Sequence, residues 1–210
     1  MLTMEVHKPA DLINFLRSHI EPLEDEIYGT SFRASVYLHD GTFIPCVVFR
    51  DFELVTSLAI KRFTAGQAEK CGTVKKAGGT GYVNMVKHYL LNNSRIRLSE
   101  IGRIEKSKFA IPSKFLQQIE VETSKGWTGF TCKMNDGKYL GFGTTYAFEF
   151  FYMPSNYSLN DITAIINHSY VLKNGELKYH PQPMLAYPSD YNEAVVNREM
   201  SFFECFIDRI

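Results

Sequence analysis

Leu12, Ile13, Leu16 and Ile20 recur at intervals of three and four, the period of one helix face, so residues 9–20 are predicted helical. Pro9 suits the first turn of that helix. Pro22 with Glu21, Glu24, Asp25 and Glu26 marks its end or a short acidic continuation, and Gly29 breaks the chain. The period then changes to two. Phe32, Ala34, Val36 and Leu38 alternate with Arg33, Ser35 and Tyr37, a half-buried strand. Asp40-Gly41 turns it into a return strand, 43–49, in which Pro45 cannot donate to a ladder and points to an edge near that residue. Helical spacing resumes over 51–63, with Phe52, Val55, Leu58, Ala59 and Phe63 on one face and Asp51 placed to cap the start. Periodicity stops over 64–81, a loop carrying Gly66, Gly72, Gly78, Gly79 and Gly81. A third helix is predicted over 82–91, one or two short strands over 96–110, and a short helix from Pro112 through Phe115, Leu116 and Ile119.

The strongest pattern lies over 127–153. Two apolar runs flank Asn135-Asp136-Gly137-Lys138, and a two-residue Asp136-Gly137 turn needs the positive φ that glycine supplies. That register sets Met134 against Tyr139, Cys132 against Gly141, Phe130 against Gly143 and Thr128 against Thr145. It predicts an aromatic, Phe130, lying across the bare backbone of Gly143. Both faces of this hairpin are apolar, which places it centrally in a sheet. Residues 159–168 are predicted helical with Ile162, Ile165 and Ile166 inside. Residues 170–179 read as a small hairpin around Asn174-Gly175, 180–188 as a loop, and 201–210 as a final strand.

The fold these elements specify is α+β: a mostly antiparallel sheet built on two Asp-Gly hairpins, with helices packed on one side. It is read as a single domain, 1–210. Helix, Asp-Gly hairpin and helix occur in that order twice, which raises an α-β-β-α duplication with halves 1–63 and 112–210 joined by 64–111. Independent use of a common turn gives the same pattern.

Composition narrows the class. Hydrophobic residues are 45% and aromatics 14%, enough for a core and against extended disorder. The first residues lack a basic start and an apolar run, and no stretch approaches 18 apolar residues, so a soluble, cytoplasmic protein without a membrane span is expected. Cys46, Cys132 and Cys205 stand in apolar runs and read as buried free thiols. The six histidines lack ligand spacing, so neither metal nor cofactor is assigned. Net charge is zero but uneven: residues 61–114 hold twelve Lys or Arg against three acids, between acidic flanks.

That basic segment carries the candidate anion- or partner-binding residues. Lys75, Lys76, Gly79 and Thr80 form a glycine-rich loop before a helix, where backbone N–H groups attract anions. The Lys-Ser/Thr pair of a P-loop is absent, and a helix rather than a strand precedes it. Arg95, Arg97, Arg103, Lys106 and Lys108, interleaved with Tyr82, His88, Tyr89 and Phe109, have the composition of a single-stranded nucleic-acid surface. An acidic protein partner, or a second copy of the chain, fits the same charge. Cys71 beside Lys70, the helix-end His168, His180 in its loop, and Glu149 among aromatics complete the reactive candidates. None has a positioned catalytic partner at readable spacing. The function expected is a non-catalytic binding protein that docks a protein partner or itself through 148–152 or 202–206. The rivals are a nucleic-acid or nucleotide-phosphate binder using 61–114, and an enzyme whose site is assembled from distant residues.

Overall fold

The computed structural model describes residues 3–25, 29–57, 60–61, 64, 94–120, 122–124, 126–145, 147–181 and 186–210. The loop and helix expected over 65–91 lie outside the described residues. In chain order the named elements are β1 (Thr3–Glu5), α1 (Pro9–His19), β2 (Pro22–Asp25), β3 (Gly29–Leu38), β4 (Phe43–Asp51), β5 (Ile101–Lys106), α2 (Ser113–Leu116), β6 (Thr128–Met134), β7 (Tyr139–Thr144), β8 (Ile162–Asn167), β9 (Ser169–Val171), β10 (Leu177–Tyr179), β11 (Asn197–Arg198) and β12 (Phe203–Ile207). The protein is therefore α+β with more than one sheet. Its contacts divide into two units, Met1–Glu105 with Phe203–Ile210, and Lys106–Phe202. No helix among the described residues is long and apolar enough to cross a membrane.

In the first unit the strand order is β1-β5-β3-β4-β12, with β2 also on β3. β12 runs parallel to β4. The alternation in β3 sends Phe32, Ala34 and Val36 to one face, where they meet Val47, Phe49, Ile104, Cys205 and Ile207. Leu12, Phe15 and Leu16 of α1 close over that face. The acidic stretch after α1 is not a helical continuation. It is β2, antiparallel to residues 29–32, with Pro22 at its first position, where a missing donor is tolerated. Pro45 sits where the β3–β4 register jumps between Ala34 and Val36, and β12 pairs only with residues 47–51. No ladder partner is required there. Ser35 Oγ donates to the Pro45 carbonyl (2.7 Å). Residues 52–57 are helical, and Asp51 Oδ1 accepts the Leu54 N–H (2.9 Å). Val55 is buried as expected, but Phe52 is 48% exposed and does not share its face.

The second unit is built on β11-β7-β6-β8. β6 and β7 form a hairpin whose loop has three residues, not two. Met134 N–H donates to the Lys138 carbonyl (2.8 Å), leaving Asn135-Asp136-Gly137 as the loop with Gly137 at φ +84°. Asp136 Oδ1 accepts the Lys138 N–H (3.0 Å), which holds its carboxyl below the usual range. His39-Asp40-Gly41 repeats this geometry, with Thr42 N–H on Asp40 Oδ1 (2.9 Å). The extra loop residue moves every pairing by one from that expected. Phe130 faces Phe142, Cys132 faces Leu140, and Gly129 and Thr131 face Gly143 and Gly141. Phe130 and Phe142 stack (5.5 Å), and Phe151 meets both edge-on. The aromatic across Gly143 is Trp127: a Cβ there would lie 2.1 Å from Trp127 Cζ2.

β7 stops at Thr144, whose hydroxyl takes the Ala147 N–H (3.0 Å) and so turns the chain. Phe150 and Phe151 are fully buried, so within 148–152 only Tyr152 is exposed as a docking residue. Residues 162–167 are a strand, not a helix. Ile162, Ile165 and Ile166 satisfy helical spacing, but a β-branched run beside the free edge of β6 pairs with it instead. Consequently the second hairpin lacks the closing helix of an α-β-β-α half. The two ladders nevertheless share connectivity. In β5-β3-β4-β12 and in β8-β6-β7-β11 a hairpin lies centrally, the next named strand adjoins its first strand, and a late strand lies parallel to its second.

Candidate functional site

Lys75, Lys76, Gly79, Thr80 and Cys71 lie outside the described residues. Among the remaining basic candidates, Arg95, Arg97 and Arg103 belong to the first unit, and Lys106 and Lys108 to the second. Arg103 is on β5, whereas Arg95 bridges to Glu204 of β12. β3, β4 and β12 intervene, so the two arginines are about 19 Å apart at ordinary strand spacing and form no single patch. Each is stacked on a ring: Arg95 on Phe206 (4.5 Å to the centroid) and Arg103 on Tyr37 (3.7 Å). The Nε of each is buried without a hydrogen-bond partner. Arg97, Lys106 and Lys108 are exposed.

His168 does not end a helix. It sits between β8 and β9 at φ +49°, an uncommon conformation for a non-glycine residue. Its ring fixes it there. Nε2 is 3.0 Å from Glu120 Oε2, and Nδ1 is 3.2 Å from Thr123 Oγ1. This acid–imidazole–hydroxyl series has the outline of an activated nucleophile. Its hydroxyl is nevertheless saturated. Thr123 Oγ1 accepts the Gly129 N–H (2.9 Å) and donates to the Gly129 carbonyl (3.2 Å), and Thr123 is buried. The single hydroxyl proton is spent on that carbonyl, so the hydroxyl has none left to give to the ring. The series ties Glu120 and Thr123 to His168, next to the point where Ser124 and Trp127 exchange backbone hydrogen bonds (3.1 and 2.9 Å). It brackets Trp127 in the chain, with Thr123 on one side bonded to Gly129 on the other.

Trp127 opens onto the aromatic cluster of the second unit. His180 packs on Tyr170 (4.8 Å) and Tyr191 (5.3 Å), Tyr191 meets Tyr170 edge-on (5.2 Å), and Tyr187 leans on Tyr191 (4.9 Å). The Arg198 guanidinium covers Trp127 (4.8 Å) while both Nε and Nη2 bond Glu199. His180 is buried, neither ring nitrogen has a hydrogen-bond partner, and Trp127 Nε1 lacks one also. Burial, with the nearby His168, holds the His180 imidazole down to about 4. Tyr170 donates to Asp190 (2.6 Å), and burial followed by that bond raises its phenol to about 12. Gly129 leaves room for this cluster: a Cβ there would stand 3.1 Å from Trp127 Nε1 and 3.5 Å from His180 Nε2. Tyr187, packed on Tyr191, stands at its rim and is 54% exposed, and Tyr179, next to His180 in the chain, is 63% exposed. The members come from residues 127, 170, 180, 191 and 198, and no spacing in the sequence links them.

Among the described residues no group of His, Cys, Asp and Glu is placed to hold a metal ion. Comparison with protein-family models, with curated proteins and with solved structures gives no match.

Proposed function

We propose that the protein is a non-catalytic binding protein, and that it docks another protein through the tyrosine-rich face of its second unit. The observation that carries this reading is the exposure of Tyr187 at the rim of a packed cluster containing Trp127, Tyr170, Tyr191 and Arg198, with Tyr179 exposed next to His180 in the chain. Tyrosine, tryptophan and arginine bring large contact area at low entropic cost and dominate recognition surfaces. An exposed tyrosine backed by a packed ring, as Tyr187 is by Tyr191, is held ready for a partner. The saturated Thr123 hydroxyl favours binding over nucleophilic chemistry at this place. A photo-crosslinking residue at Tyr187 should capture a protein that also binds the purified chain. Tyr179→Ala with Tyr187→Ala should weaken that binding at least tenfold. Undiminished binding by the double variant sinks the reading. A dimer in sedimentation that Tyr187→Ala separates replaces the partner with a second copy of the chain.

The shared connectivity of the two ladders also supports a duplication, reframed from halves 1–63 and 112–210 to the two contact units.

A further inference from the structure

Arg103 carries the inference. It lines a cleft of about 540 Å³ in the first unit together with His7, His39 and Tyr37. A second cleft of about 540 Å³ shares His7 and His39 and adds Lys8. His39 lies over the bare backbone of Gly102, where a Cβ would stand 3.0 Å from its Nδ1. The Arg103 guanidinium is stacked on Tyr37, its Nε is buried and unpaired, and among the described residues it has no carboxylate partner. Two other arginines meet carboxylates, Arg50 with Nε 3.1 Å from Glu204 and Arg198 forked on Glu199, whereas Arg95 shares the unpaired Nε of Arg103. Glu5, opposite Arg103 in the β1–β5 ladder, lines the same cleft but makes no ion pair with it.

We propose that this cleft binds the phosphate monoester group of a small molecule. A half-buried guanidinium without a counter-ion is costly unless an anion arrives, and its planar fork suits phosphate oxygens. The two imidazoles of the same cleft, and Lys8 in the second cleft that shares them, supply further donors, which favours a dianion over a carboxylate. The concave volume suits a small ligand. The site lies in the first unit and stands independently of the docking reading, whose residues are in the second.

The test is an NMR titration of the whole chain with inorganic phosphate, then with glycerol 3-phosphate and AMP. The Arg103 Nε–H and the His7 and His39 ring signals are followed. Saturable shifts at those three residues are expected, with tighter binding for at least one ester than for phosphate. Arg103→Gln should weaken binding at least tenfold, Arg103→Lys several-fold, and Glu5→Gln should strengthen it. If Arg103→Gln fails to fold, His7→Gln with His39→Gln serves, with several-fold weakening expected. Non-saturating shifts, equal shifts with acetate, a preference for a phosphoserine peptide over every small ester, or unchanged binding in the variants each overturn the proposal.

Discussion

Gly143→Ala tests the packing of the second unit at its tightest point. The added Cβ would fall 2.1 Å from Trp127 Cζ2 and 2.4 Å from Cη2. Carbon atoms rest at about 3.5–4.0 Å, so the indole must retreat by roughly 1.5 Å. It has little room, because Arg198 lies on it at 4.8 Å and Trp127 is buried. Overpacking of this kind costs about 1–3 kcal/mol. Alanine in a strand recovers about 0.5–1 kcal/mol over glycine. A net loss near 1 kcal/mol moves a urea midpoint down by about 0.5 M at a typical slope. Trp127 is the single tryptophan, so its emission reports the displacement directly and should shift to the red. The decisive comparison is a double-mutant cycle with Trp127→Ala. In that background Gly143→Ala should be neutral or stabilising by up to about 1 kcal/mol. An equal loss in both backgrounds refutes the assignment of the clash to the indole.

Two further outcomes follow from burial. His180 titrates at about 4 in the folded protein against 6.5 ordinarily, so the unfolded chain takes up its proton first. Stability is full above about pH 6.5 and falls by about 3 kcal/mol as the pH drops to 4; urea midpoints across that range should show this limb, and an unaltered limb in His180→Phe refutes it. Burial pushes the thiols of Cys46 and Cys205 up to about 12 and raises Cys132 as well. A thiol reagent should therefore reach no more than one of the four cysteines in the native protein and all four in urea; rapid native labelling of two or more overturns the burial.

The sequence made α1 and the alternation of β3 legible because one physical period dominates each. Asp-Gly likewise marked both hairpin turns, but a dipeptide does not state loop length. Asn135 could begin the loop or end the strand, and the difference of one residue exchanged Phe130 for Trp127 as the ring across Gly143. Ile162, Ile165 and Ile166 matched a helical face while their β-branching favoured a strand, and the available edge of β6 decided between them. The site was the least legible part. Trp127, His180 and Tyr191 come together only through tertiary packing, and the unpaired state of Arg103 depends on which carboxylates fail to reach it. Neither fact has a local pattern.

β12 joins the first unit beside β4, although residues 106–202 are made between them. During synthesis, then, the order of translation and the order of completion differ. The second unit has all its strands before the first has its last, and Val47, Phe49 and their neighbours wait for Cys205 and Ile207. A ribosome paused within 106–202 holds a first unit with one edge open. Early release of the chain before Phe203 would be felt at the opposite end of the sequence, in the core that α1 covers.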